Sequence, residues 1–167
     1  FYYKLITVFR KVPWIDVEVF KNNRQEQTRN DALTYEQLFD KIITDFKTAY
    51  DVLPETQADG GRVNKIAAAS YLAKCYLQLA WGDGYENTTG IAHINRDYMQ
   101  KVVDYTDVVS HSHYGYLEDY GDIFLPEYKN SKESIFAVQC SDYKEDNTTF
   151  GRANWSNTLN GCWGIWS

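Results

Sequence analysis

Residues 61–80 read "GRVNKIAAASYLAKCYLQLA", and this stretch decides the fold. The chain as a whole is crowded with bulk, carrying 14 Tyr, 8 Phe and 5 Trp in 167 residues, yet positions 67–70 are Ala-Ala-Ala-Ser. Asn64 is a good cap for a helix running from about Lys65 to Trp81, and the glycines of the following "WGDGY" end it. Ile66, Ala69, Ala73, Tyr76 or Leu77, and Ala80 lie on one stripe, while Ala67, Ala68, Tyr71, Leu72, Cys75 and Leu79 fill a second. A helix that is small or apolar nearly all round is buried between neighbours. Its small side chains let the flanking helices approach toward the lower end of the usual axial separation of about 8–10 Å.

Working outward, the neighbours are legible. "LTYEQLFDKIITDFKTAYDVLP", residues 33–54, places Tyr35, Leu38, Phe39, Ile42, Ile43, Phe46, Ala49, Tyr50 and Leu53 at spacings of three and four, one broad apolar face. Thr34 with Gln37 forms a capping box, Leu33 is placed to staple onto Leu38, and Pro54 stops the helix. A third helix follows in "NRDYMQKVVDYTDVVSHS", capped by Asn95, with Tyr98, Val102, Tyr105 and Val109 on its apolar face. The opening "FYYKLITVFRKVPW" reads as the last turns of a helix, with Phe1, Leu5 and Val8 or Phe9 on one face, and has no signal-peptide pattern. A chain that opens inside a helix is expected to be a fragment of a longer protein, with any export signal or lipid anchor upstream. After residue 113 the helical period fades. "SIFAVQC" reads as a short buried strand or extended segment, and residues 142–167, "DYKEDNTTFGRANWSNTLNGCWGIWS", as irregular, with three of the five tryptophans.

The totals narrow the function classes. A chain of 167 residues forms one domain and buries roughly 70% of its unfolded surface, so no staples are needed. Hydrophobic and charged fractions of 44% and 24% are ordinary, and the apolar runs fall far short of the ~20 residues that span a bilayer. A net charge of -6 with no basic stripe argues against a nucleic-acid partner. The aromatic fraction of 16% leans toward binding, since Tyr and Trp join large burial to a polar tip.

Chemistry-bearing patterns are sparse. Cys75, Cys140 and Cys162 lack metal-ligand spacing; Cys75 reads as a small core residue, and Cys140 and Cys162 are either free thiols or one bridge in an exported protein. His111 and His113, two apart near a helix end, face opposite ways and read as solvent-facing residues at a helix C-terminus rather than a metal pair. No elbow serine, phosphate-binding glycine loop or zinc helix is present. Carboxylate pairs such as Asp119 with Asp122 read as surface groups rather than a glycosidase dyad. No catalytic residue, metal or cofactor is expected. Asn87, Asn147 and Asn154 each begin an Asn-X-Ser/Thr sequence, a glycosylation signal only in a eukaryotic secreted chain.

Helix, loop, small-residue helix, loop, helix is the grammar of tetratricopeptide-like stacked hairpins, although the loop between the first two helices is too long for the usual repeat. The order of segments resembles the SusD-like (RagB/SusD) family of surface nutrient-binding lipoproteins of the Bacteroidetes. "FYYKLITVFRKVPW" looks like that family's helix followed by a Val-Pro element, and "YEQLFDKIITDFKTAYDVLP" like its helix ending in Leu-Pro. "GRVNKIAAASYLAKCYLQLA" is similar to its Gly-Arg, cap, Lys and alanine-rich helix, and "YGYLEDYGDIFLPEYKNSKESIFAVQCS" to its tyrosine-rich linker closed by a Glu-Ser-Ile-Phe strand. Asn64 replaces the usual Thr, and Ile66 stands where the family places a small residue.

The resemblance implies a mainly α fold, a fragment of a larger SusD-like domain: a tetratricopeptide-like scaffold over residues 1–141, with long irregular aromatic loops and a short strand, then an irregular aromatic region over 142–167. It implies capture without catalysis: a lipid-anchored protein on the outer face of the outer membrane, binding oligosaccharide or polysaccharide and delivering it to a TonB-dependent transporter. Ligand contacts fall to the region after the Ile-Phe strand, where Tyr143, Trp155, Trp163 and Trp166 offer rings for sugar faces and Arg152, Asn154 and Asn157 offer hydrogen bonds. The other reading of these tryptophans is core burial. The alternatives for function are a peptide-binding member of the family or a tetratricopeptide-type adaptor and, further off, a glycoside hydrolase.

Overall fold

The computed structural model describes residues 1–59, 61–81 and 94–137. Among the described residues the architecture is mainly helical, with five α-helices: α1 (Tyr2–Phe9), α2 (Val17–Asn22), α3 (Tyr35–Val52), α4 (Lys65–Ala80) and α5 (Arg96–Ser110). Among the described residues, 3-10 segments at Glu26–Thr28, Tyr120–Phe124 and Pro126–Tyr128 punctuate the connections, and no β-strand occurs.

α3 forms where the capping signal sits. The Gln37 amide donates to Thr34 Oγ1 at 3.2 Å while the Thr34 amide donates to Gln37 Oε1 at 2.9 Å, so two N-terminal donors are satisfied reciprocally. Tyr35, Leu38, Phe39, Ile42 and Ile43 are buried, and Phe46, Tyr50 and Leu33 pack partly buried against the same core. α4 starts on Asn64, whose Oδ1 accepts from the Ala67 amide at 2.9 Å. Ten of its side chains are buried, from Ile66 to Ala80, because α3 covers one flank and α5 the other. Tyr76 takes the buried stripe position and Leu77 faces out at 39% exposure. The small residues at 67–69 and 73 thus sit where packing is closest to complete, and Ile66 is buried with them.

α5 begins on Asn95, whose Oδ1 accepts from the Tyr98 amide at 3.1 Å, and lays Tyr98, Val102 and Tyr105 against the core. Tyr76 stacks on Tyr105 at 5.9 Å, and Tyr50 meets Tyr105 edge-on at 5.7 Å, so aromatic rings join α3, α4 and α5. Each such pair adds about 0.5–1.5 kcal/mol beyond its buried area.

Two expectations change. On α1 the buried residue is Ile6, with Tyr2 and Tyr3 half-buried, whereas Phe1, Val8 and Phe9 are exposed. Tyr3 meets Phe39 and Tyr71 edge-on, and Tyr2 stacks on Trp14 at 4.2 Å while its hydroxyl accepts from the Ile15 amide at 2.8 Å. With apolar residues nearly all round α1, periodicity did not select the face; contact with α3 does. The second change concerns "SIFAVQC". Its described part, residues 134–137, forms no strand, Ile135 is half-buried and Phe136 exposed at 36%. Residues 138–140 lie outside the described residues. α2, six residues long, has no buried side chain, and its start is set by Asp16, whose Oδ1 accepts from the Val19 amide at 2.8 Å.

Candidate functional site

None of the expected ligand-binding residues, Tyr143, Arg152, Asn154, Trp155, Asn157, Trp163 and Trp166, lies within the described residues, and the same holds for Cys140, Cys162 and the glycines after Trp81. Two of the concavities in the described part share the segment that follows α5.

The larger is a groove of about 690 Å³ between α4 and α5, closed by residues 114–116 and 133–136. α4 contributes Ala67, Ala73 and Leu77 to its floor, α5 contributes Val102 and Val109, and Tyr71, Tyr114, Tyr116 and Phe136 supply rings. The hydroxyls on its walls turn inward: Ser70 Oγ donates to the Ile66 carbonyl at 2.9 Å, Thr106 Oγ1 to Val102 at 2.8 Å and Ser110 Oγ to Asp107 at 2.9 Å. Helical Ser and Thr commonly bond back in this way. What faces the groove is therefore mostly carbon, with Lys74 held 5.4 Å over the Tyr71 ring and Glu133 at the rim accepting from the Leu117 amide at 3.0 Å. A cavity in the size range of ligand pockets with this lining suits apolar or aromatic groups.

The smaller concavity, about 380 Å³, is polar. Thr56, Gln57, Asp59, Arg62 and Asn64 come from the α3–α4 loop and its end, His113 and Tyr114 from the end of α5, and Asn130, Ser131, Lys132 and Ser134 from the far segment. One hydrogen bond joins the two walls: Asn64 Nδ2 donates to the Tyr114 hydroxyl at 2.7 Å. The Gly115 amide donates to the Lys132 carbonyl at 3.0 Å and fixes the third wall.

The remaining candidates are structural. Cys75 is wholly buried, and burial pushes its thiol up to about 12, so it is neither a nucleophile nor a ligand. Asp119 caps the turn at Tyr120–Phe124, its Oδ1 accepting from the Gly121 amide at 2.7 Å, and Asp122 lies close enough to Tyr128 to raise that phenol. His111 lies beside Asp107 at 3.3 Å at the exposed end of α5, and His113 packs tilted against Tyr114, ring centroids 4.1 Å apart. Among the described residues no group of His, Cys, Asp and Glu has the arrangement to hold a metal, and no helix is long and apolar enough to cross a membrane.

Sequence reasoning passed over both concavities. The signal was present in residues spaced far apart, Asn64 with Tyr114 above all, and only the packing of α4 on α5 brings them together.

Residues 1–77 match a SusD-like family model described as starch-binding and associating with the outer membrane. The chain is also similar to SusD-like protein P2 of Formosa agariphila, 33% identical over 79 residues that make up 46% of this chain and 15% of that protein. The chain thus aligns with a small part of the relative's length. The family match covers α1, α2, α3 and α4 as far as Leu77, which includes the capped, alanine-rich helix and one wall of each concavity. The matched helices and the curated relative together support membership of the SusD-like family.

Proposed function

We propose that this chain is part of a cell-surface protein that captures oligosaccharide nutrients and delivers them to a TonB-dependent outer-membrane transporter, without catalysis of its own. The observation that carries the reading is the match of residues 1–77 to a family described as starch-binding and associating with the outer membrane. A lipid anchors the protein to the outer membrane. The helices form the scaffold, and the ligand contacts fall to Tyr143, Trp155, Trp163 and Trp166 with Arg152, Asn154 and Asn157. A ring laid on the C–H face of a sugar, with amides and a guanidinium reading its hydroxyls, needs no titrating group.

One observation favours a second reading, in which the protein binds peptide. The α4–α5 groove presents carbon and rings rather than free hydrogen-bonding groups, which fits apolar side chains better than a sugar. Calorimetry on the intact protein separates the two. Glycan capture predicts saturable binding to an oligosaccharide from a panel of bacterial, plant and host glycans, unchanged by Leu77→Asp in the groove. The peptide reading predicts no glycan binding and peptide affinity that the same substitution abolishes. Turnover of a chromogenic glycoside would contradict both.

A further inference from the structure

The smaller concavity is unusual for a chain of net charge -6. It gathers Arg62, Lys132 and His113 against a single carboxylate, Asp59. That carboxylate is already engaged: Asp59 Oδ1 accepts from the Gly61 amide at 3.0 Å, and Oδ2 lies 3.8 Å from Arg62 Nε, too long for a good hydrogen bond. The two outer guanidinium nitrogens of Arg62, the Lys132 ammonium and both His113 ring nitrogens have no hydrogen-bond or ion-pair partner among the described residues. The same is true of the hydroxyls of Thr56, Ser131 and Ser134, which line the same walls.

The walls are held in place independently of these groups. Gln57 Nε2 donates to the Val63 carbonyl at 2.8 Å, the Arg62 amide donates to the Asp59 carbonyl at 3.0 Å, and Asn64 and Tyr114 tie the α4 end to the segment after α5. The Ser134 amide donates to the Ser131 carbonyl at 2.9 Å. Cationic donors and hydroxyls therefore converge on a concavity whose backbone is fixed by other bonds.

We propose that this cleft binds the anionic group of an acidic saccharide, a carboxylate or a sulfate ester, with Arg62 and Lys132 pairing to the anion, His113 donating a ring N–H, and Thr56, Ser131 and Ser134 reading neighbouring hydroxyls. Arg supplies the planar fork that matches both oxyanions, and Lys a point charge beside it. His113 is braced by Tyr114, the two rings tilted at 37° with centroids 4.1 Å apart. The inference rests on the saccharide reading above but uses different residues, and it makes the ligand charged.

The test titrates the intact protein with an oligogalacturonate, a sulfated oligosaccharide and a neutral oligosaccharide of similar length, at low and high salt, alongside the double variant Arg62→Gln, Lys132→Gln. Both residues are exposed, so the fold is expected to survive, and thermal unfolding checks it. At least one anionic probe should bind more tightly than the neutral one, weaken about tenfold or more in the double variant, and weaken as salt is raised. Which anionic probe binds identifies the group as carboxylate or sulfate. Anionic and neutral probes binding alike, or anionic binding indifferent to the double substitution, would overturn the cleft while leaving glycan capture standing. Binding of no saccharide would remove both.

Discussion

Asn64 holds two structures together with one amide. Its oxygen caps α4 through the Ala67 amide, and its nitrogen donates to Tyr114, fifty residues on. The resemblance made Asn and Thr look interchangeable at this position, since both cap, but threonine has no second arm to reach the tyrosine. Asn64→Ala is expected to lower stability by about 2–3 kcal/mol, Tyr114→Phe by about 1 kcal/mol and Asn64→Thr by an amount close to the latter, with non-additivity in the double variant. Urea unfolding of the set measures this, and equal losses for Thr and Ala at 64 would contradict it. Cys75 gives a second test. Burial raises its thiol from 9.0 to about 12, and burial likewise raises Tyr3, Tyr35 and Tyr105. The unfolded chain therefore loses protons that the folded chain keeps, so stability should fall as pH rises from about 9 toward about 12. A urea midpoint unchanged between about pH 8 and about pH 10.5 would speak against it. In the folded protein at neutral pH, Cys75 should also escape alkylation, as read by peptide mapping.

At the scale of elements, α3 and α4 were legible almost to the residue, because a capping box, an Asn cap and an apolar face all agree there. α5 was legible for the same reason, with Tyr98, Val102 and Tyr105 on its buried side. α1 was legible as a helix but not in its orientation: "YYKLITVF" offers apolar residues on every side, and only α3 selects Ile6. α2 escaped notice because six residues cannot show a period, and its one signal was the capping Asp16. The small-residue reading of α4 carries a direct consequence. Ala69 is fully buried, so Ala69→Leu must displace a packed neighbour and should lower stability by about 1–3 kcal/mol. Leu77→Ala, at a half-open position on the same helix, should cost less than about 1 kcal/mol. Paired thermal melts check the ranking, and the reverse order would mean that the alanine stripe does not set helix spacing.

At the scale of the molecule, the helical scaffold and the segment after α5 frame two concavities of opposite character. The apolar groove and the polar cleft share Tyr114, and both depend on a segment that folds back from residue 130 onward to meet the ends of α4 and α5. Neither was visible in the sequence, since each is assembled from helices and loops far apart along the chain, whereas the family resemblance was visible because its signals are local blocks in a fixed order. The tryptophans after residue 142 carry the central claim, the proposal that the protein captures glycan through their rings. The measurement that meets this claim most directly is calorimetric titration of the intact protein with the oligosaccharide panel, beside a variant with Trp155, Trp163 and Trp166 changed to Ala. The account predicts saturable binding to one glycan class that the variant loses while its thermal unfolding is unchanged; binding that survives the three substitutions, or none to any glycan, would contradict it.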